Sequence, residues 1–491
     1  MKKNIIQILF LSLSILIIFT AESSAQATTG KLRMTLKECI HYAQDKSPDA
    51  VKAESLNRNK VLNYEAFVAG YYPQITLSGN APEFERAINP ITQNDGSISF
   101  LEQNHLNASG NLSLTQRIPF TGGRISLSSG ISRMQMFSDN DILFWRSTPI
   151  QLSLTQPLFK FNSMKWDLEV ESIKNDNLPR EYAESMEEIS INVTQKFFDL
   201  YIAEMNVKNS EFNVSINDSL YLIAKGRYKV GKIAENDLLQ SELGYLNQKN
   251  SLEYAKLTYQ QAKEDLLILL GIEHQDIEIV PPLDIPNIQV DPIEAVIQAK
   301  ENTSNLLYYE LEELNADRQL NIAENNNSFN ADITASFGMN KTTGELPELY
   351  REMLDQERFG LRFEIPLFQW NIGKARVEAA MANKKMTEID VDIKRRNFEK
   401  NIKFQTLNFL QFQQQVRLSA KSDTIAQRRF EVAKNRYIIG KIDQTKYFIA
   451  QQEKDSAFRS YINTLKNYWV SYYRLRRNTL YDFEYGMKIN Y

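Results

Sequence analysis

The sequence predicts an α+β membrane protein in which long antiparallel helical hairpins occur as a tandem duplication, each copy carrying its own membrane strands. Three observations carry this. Two segments, about Lys160 to Gly226 and Lys374 to Asn435, hold helical periodicity for longer than a globular core uses. Between the helical segments lie runs that alternate apolar with small polar residues, the period of a strand with two different faces. Several motifs also recur at shared offsets along the chain.

The composition removes several classes of function. The chain has 491 residues, 57 basic and 61 acidic, and a formal charge of −4, which gives no electrostatic basis for binding nucleic acid. With 18 glycines and 14 prolines it is neither collagen-like nor low-complexity. One cysteine, Cys39, excludes an intramolecular disulfide and a Cys-based zinc site. His41, His105 and His274 are dispersed, so no metal set and no cofactor is expected. At the N-terminus Lys2 and Lys3 precede an apolar run from Ile5 to Phe19, then Ser23-Ser24-Ala25. This is the pattern of a cleaved secretory signal, residues 1–25, which directs the chain out of the cytoplasm. Beyond it no apolar run is long enough for a membrane helix.

The first copy, 26–290, opens with a helix over Thr35 to Gly70, started by the capping box Thr35-x-x-Glu38 and stopped at Tyr71-Tyr72-Pro73. Strand patterns follow over about 72–158: Ile75/Leu77, Leu112/Leu114, Ile125/Leu127/Ile131 and Ile150/Leu152/Leu154. Thr121-Gly122-Gly123-Arg124 makes a tight turn between two of them. The long helix then carries Pro179, which predicts a kink or short break at Asn177–Pro179. A hairpin tip near 226–237 leads into a returning helix over Asp237 to Leu270. Gly271 and the prolines at 281, 282 and 286 predict an extended linker.

The second copy, 291–491, begins the same way. Asp291-Pro292-Ile293-Glu294 places an N-cap, a proline at N1 and a glutamate at N3, matching Thr35–Glu38 at an offset of 256. Strands are expected over about 329–369, from Ile333/Ala335/Phe337/Met339 and Leu361/Phe363/Ile365/Leu367. Pro366-Leu367-Phe368 repeats Pro157-Leu158-Phe159 at an offset of 209. The same offset aligns Arg227-Tyr228-Lys229-Val230-Gly231-Lys232-Ile233 with Arg436-Tyr437-Ile438-Ile439-Gly440-Lys441-Ile442, at a second tip near 436–446. The offset falls by nearly fifty residues across the strand region, so copy one holds a surplus hairpin, roughly Asn104 to Arg133.

Helices about 100 Å long, at ~1.5 Å per residue, need lateral partners, as in a coiled coil or a barrel of helices. Four to six strands per chain cannot enclose a water-filled barrel, and open edges are untenable in lipid. Several chains must therefore share one barrel if these strands meet lipid.

In the order Leu36-x-Glu38…Ala43, Tyr72-Pro73, Gln156-Pro157-Leu158-Phe159, the paired Arg-Tyr-x-(Val/Ile)-Gly turns and the duplication, the chain resembles the TolC-type outer-membrane efflux family over essentially its whole mature length. The resemblance implies a homotrimer sharing one outer-membrane β-barrel and one periplasmic α-barrel. It further implies a passive duct for efflux or type I secretion, with a periplasmic adaptor and an inner-membrane RND or ABC transporter as partners. The surplus hairpin departs from the family's minimal four strands per chain. In the family, a polar or acidic residue of the first tip bonds a tyrosine and an arginine of the second to close the tunnel. Asn236 and Asp237, following Gly231, match the first set, and Tyr437, preceding Gly440, matches the tyrosine. Ile442 stands where the arginine would be, leaving Lys441 or Lys446 as substitutes. Asn236 and Asp237 are also expected to cap the returning helix.

The remaining clusters read as structural. Lys394-Arg395-Arg396 reads as a solvated helix face, Cys39 as packing, and the aromatic stretch from Tyr468 to Tyr485 as core or subunit contact. No phosphate loop, nucleophile elbow or carboxylate pair stands out, so the chain is not expected to be an enzyme. The same helices without lipid-facing strands would suit a soluble periplasmic coiled-coil scaffold or adaptor, which is the alternative reading.

Overall fold

A computed structural model describes residues 32–137, 141–273 and 276–491. The signal-peptide reading of residues 1–25, and His274, lie outside the described residues. The described residues fall into two compact units, one of 32–43 with Lys196–Leu283, the other of Gln44–Gln195 with Asp284–Tyr491.

The duplication is visible in the helix lengths. Helices α1 (Leu36–Lys46) and α5 (Pro292–Asn302) each have 11 residues. Helices α2 (Pro48–Ala69) and α6 (Asn305–Asn326) each have 22. The long helices α3 (Ser163–Lys229) and α7 (Ile372–Ile438) each have 67, and the returning helices α4 (Glu235–Leu270) and α8 (Gln444–Thr479) each have 36. Equal lengths in four successive pairs leave the strand region as the place where the copies differ.

The helix starts follow the expected chemistry. The Glu38 amide donates to the Thr35 hydroxyl at 3.3 Å, and the Glu38 carboxylate accepts the Thr35 amide at 2.7 Å and the Thr35 hydroxyl at 2.9 Å, which hold it below its usual range. Asp291 accepts the Ile293 amide at 3.0 Å ahead of Pro292. Three expectations are corrected. The segment 35–70 is two helices, because Ser47 caps a new one, accepting the Ala50 amide at 3.1 Å, with Pro48 at its first turn. The linker after Gly271 contains a strand, β6 (Ile277–Val280), paired in parallel with β1 (Leu32–Thr35). Of the kink or short break expected at Asn177–Pro179, the break is absent, because helix α3 is continuous through Pro179. A proline inside a helix is worth ~3 kcal/mol of destabilisation, but its neighbours are anchored: Asn177 is buried and donates to Glu181, and Arg180 donates to the Thr303 carbonyl at 2.9 Å.

In the unit built on Gln44–Gln195 and Asp284–Tyr491, six strands form one antiparallel sheet in the order β2-β3-β4-β5-β7-β8. They are β2 (Gln74–Thr92), β3 (Ile98–Ile118), β4 (Gly123–Met136), β5 (Ile142–Leu158), β7 (Asn330–Thr343) and β8 (Leu354–Glu364). The surplus hairpin β3–β4 lies inside this sheet, turning through Gly122 at φ 74°. Helices α7 and α8 pack through Phe409 on Tyr468 (5.3 Å between ring centroids) and Phe430 on Tyr447 (5.8 Å). Tyr468, Trp469, Tyr472 and Tyr473 are buried, so the C-terminal aromatic stretch is mostly core. Lys394, Arg395 and Arg396 pair with Glu312, Glu313 and Asp392. Cys39 is fully buried, and burial pushes its thiol up to about 12.

The chain's C-terminal end is held by a buried charge cluster. Arg476 bonds both oxygens of the fully buried Glu187, at 3.1 and 2.8 Å, and Asp482 at 2.6 Å, while the hydroxyl of Tyr491 donates to Glu187 at 2.6 Å. Removing Arg476 leaves two carboxylates without their cation. We expect Arg476→Ala to lose about 3–5 kcal/mol in detergent-solubilised denaturant unfolding followed by helical circular dichroism. A loss below about 1 kcal/mol, the range of exposed pairs, would show that the cluster does not hold the fold together.

Candidate functional site

Two regions answer to the expected function, the six-stranded sheet and the tips of the helical hairpins. In the sheet, pairing partners share a face, so the register sorts the side chains. One row crosses all six strands as Ile75, Leu114, Leu127, Leu152, Phe337 and Glu357, and the next as Gln116, Ile125, Leu154, Ala335 and Phe359. The opposite face carries Thr76, Ser113, Ser128, Gln151, Gly338 and Gln356 in one row, and Thr115, Ser126, Ser153, Ser336 and Arg358 in another. The apolar face has nothing over it: Ile75, Leu77 and Phe359 are 74, 77 and 74 % exposed. Such a continuous apolar sheet face backed by a polar one is the pattern of a barrel wall between lipid and water. The outer edges of β2 and β8 pair with no strand among the described residues. No described helix is long and apolar enough to cross a membrane.

The first tip, between α3 and α4, turns through Gly231 at φ 69°, with the Lys232 amide donating to the Arg227 carbonyl at 2.8 Å. The N-cap of α4 is Ala234, which offers no side-chain bond. Asn236 and Asp237 sit inside the first turn, exposed, and do not cap the helix, contrary to the expectation. Asp237 there still complements the helix N-terminus by its charge.

The second tip, between α7 and α8, turns through Gly440 at φ 75° with the corresponding Lys441-to-Arg436 bond at 2.8 Å. At this tip the cap is Asp443, the counterpart of Ala234 at the 209 offset. It accepts the Lys446 amide at 2.8 Å. That bond, with the Lys446 ammonium 3.3 Å away, holds the Asp443 carboxyl below its usual range. Lys446 is thus occupied within its own turn, whereas Lys441 makes no ion pair among the described residues. The ring of Tyr437 packs on the buried Tyr447 at 5.4 Å, and burial pushes the Tyr447 hydroxyl up. Asp443 is the residue that sequence reasoning missed; the signal was an Asp two residues past Lys441, just where the helix resumes.

A depressed carboxyl contributes stability that is present above the ordinary carboxylate pKa and is lost as pH falls through the lowered folded value. Asp443→Ala should therefore speed hydrogen exchange at the Lys446 amide at neutral pH, and the difference from wild type should vanish under acid. Equal exchange at neutral pH would show that the cap does not hold this tip.

Residues 296–479 match the family model for outer membrane efflux proteins. No curated protein matches the sequence significantly. The fold is similar to the CmeC outer membrane channel of Campylobacter jejuni, with a TM-score of 0.63 at 16 % identity over 90 % of this chain and 85 % of that one. It is similar to the outer membrane protein VceC of Vibrio cholerae, at 0.60 and 13 % identity over 90 % and 95 %. The open-state MtrE outer membrane channel of Neisseria gonorrhoeae matches at 0.60 and 12 % identity, over 90 % and 88 %. The resemblance read from the sequence is borne out in the family match and in the fold.

Proposed function

We propose that this chain, with its TolC-type fold and outer membrane efflux segment, is the outer-membrane exit duct of an export system. The observation that carries the reading is the uncovered apolar face running across six strands whose two edges are open. In water such a face is an aggregation hazard, and in lipid an unpaired edge costs several kcal/mol per exposed polar group. Both are relieved together when copies of the chain close the sheet into a barrel.

An even number of strands lets the sheet repeat without breaking its antiparallel pattern, since β8 of one copy runs opposite to β2 of the next. Three copies of six strands close eighteen, wide enough for an aqueous channel. The homotrimer implied by the family resemblance would then have a broader wall than four strands per chain provide. In the same reading, the hairpins extend into the periplasm, and Gly231 and Gly440 mark the tips that meet a periplasmic adaptor and an inner-membrane RND or ABC transporter. The repeat boundaries near 290 and the cleaved 1–25 segment belong to this proposal. So does a latch in which Asn236 or Asp237 engages Tyr437, Lys441 or Lys446 across a tip contact.

The seam is tested by cysteine pairs on its polar side, combining Thr76→Cys or Ser78→Cys with Arg358→Cys, Arg362→Cys or Glu364→Cys. Cys39, the native cysteine, is buried. The expected result is membrane-embedded trimers in the outer-membrane fraction, with at least one pair giving oxidised dimer and trimer ladders. Soluble periplasmic monomers would contradict the duct, and membrane-embedded trimers in which no β2–β8 pair cross-links would contradict the six-strand wall.

The latch is tested by single-channel conductance of wild type, Asp237→Ala and Tyr437→Phe in planar bilayers. Raised conductance or more frequent opening in either variant is expected. If both conduct like wild type, these residues shape the tips without gating them.

A further inference from the structure

We propose that the polar face of the sheet carries a cationic band, built from Arg117, Arg124, Arg358 and Arg362, that makes the duct select for anionic solutes. The inference rests on the exit-duct reading, which makes the polar face the lumen.

The register brings these four together. Arg117 on β3 is paired directly with Arg124 on β4, and their row continues through Thr155 and Thr334 to Gly360 on β8. Arg358 and Arg362 lie two residues to either side of Gly360 on the same face, within about 7 Å along the strand at ~3.4 Å per residue. All four are exposed, and none makes an ion pair among the described residues. The band lies at the end of the sheet where the strands meet the helices: β3 ends at Ile118, β4 begins at Gly123, and β8 ends at Glu364.

The other charges on this part of the face do not neutralise it. Asp332, opposite Arg362, is already bonded to Lys160, which leaves Glu364 as the one further carboxylate. Towards the far end, Glu83 and Glu85 share the face with His105 and Arg146, so the excess of arginine is local.

A structural role does not account for the pattern. Like charges directly opposite each other destabilise a sheet, so the Arg117–Arg124 pair weakens the hairpin that contains it. A polar wall needs only the serines, threonines and glutamines that fill the neighbouring rows. Arginine keeps its charge at any working pH and bonds carboxylates and phosphates through a planar fork. Lining a pore with one sign of charge raises the local concentration of the opposite ion and favours its passage. The chemical class is therefore a soluble solute bearing phosphate or carboxylate groups.

The test uses purified full-length protein reconstituted in planar bilayers under a potassium chloride gradient. Wild type is expected to reverse on the chloride side. Arg117→Gln/Arg124→Gln and, separately, Arg358→Gln/Arg362→Gln should each move the reversal potential towards potassium, and Arg117→Glu/Arg124→Glu should move it further. Inorganic pyrophosphate added on the barrel side should reduce the wild-type current and have a several-fold weaker effect on the glutamine variants. Two separate pairs guard against one variant failing to fold. Conducting variants with wild-type reversal potential and pyrophosphate block would overturn the cationic band while leaving the duct intact. Protein that inserts but carries no current even when Asp237→Ala and Tyr437→Phe are combined to release the latch would overturn the duct reading, and the band with it.

Discussion

The backbone of a sheet must find hydrogen-bond partners along both of its edges, and an apolar face must find something other than water. Among the described residues the six-stranded sheet meets neither requirement alone: β2 and β8 have open outer edges, and the row from Ile75 to Phe337 is uncovered. The helices have the same incompleteness in another form. The 67-residue helix α7 keeps Ile389, Phe404, Leu418, Ile425 and Val432 exposed along its length, so it too presents apolar surface for neighbouring copies. Oligomerisation in a membrane resolves both with one operation, and the remaining features of the molecule follow from accommodating it.

The duplication explains how such a chain is specified. Each copy repeats helices of 11, 22, 67 and 36 residues, with a capped start at Thr35 or Asp291 and a left-handed glycine at Gly231 or Gly440. Where the copies have diverged, the difference is physical and local. Copy one carries the β3–β4 hairpin inside the wall, and copy two has no counterpart among the described residues. At the tips, Asp443 caps its helix while Ala234 contributes no such bond, so the two turns differ in how firmly their returning helices are started.

Much of this was legible because it is written in local periodicity. The alternation Leu112/Leu114 and Ile125/Leu127 put those strands on a wall, and the register places all four residues on its apolar face. The shared 209 offset located both tips. The break offered at Pro179 is absent, and the helix there is held by the local Asn177–Glu181 bond and the tertiary bond from Arg180 to the Thr303 carbonyl. The Ser47-Pro48 restart was available in the sequence as a cap followed by proline, inside a run that otherwise looked helical throughout. The Glu187–Arg476–Tyr491 cluster was not legible at all, since Glu187 lies hundreds of residues from the other two and only folding brings it to them. The arginines of the polar face were visible as residues, but their common band required the register of five strands.

The central claim is that one face of this sheet meets lipid and the other meets water. Adjacent residues on β3 separate the two most directly, because Leu112 and Ser113 point to opposite faces at the same depth. Leu112→Cys and Ser113→Cys, in protein reconstituted into bilayers, would be labelled with a membrane-impermeant maleimide. The account predicts rapid labelling at 113 and protection at 112, with 112 instead quenched by brominated lipid when it carries a fluorophore. Equal labelling of both positions, with no lipid quenching at 112, would contradict it.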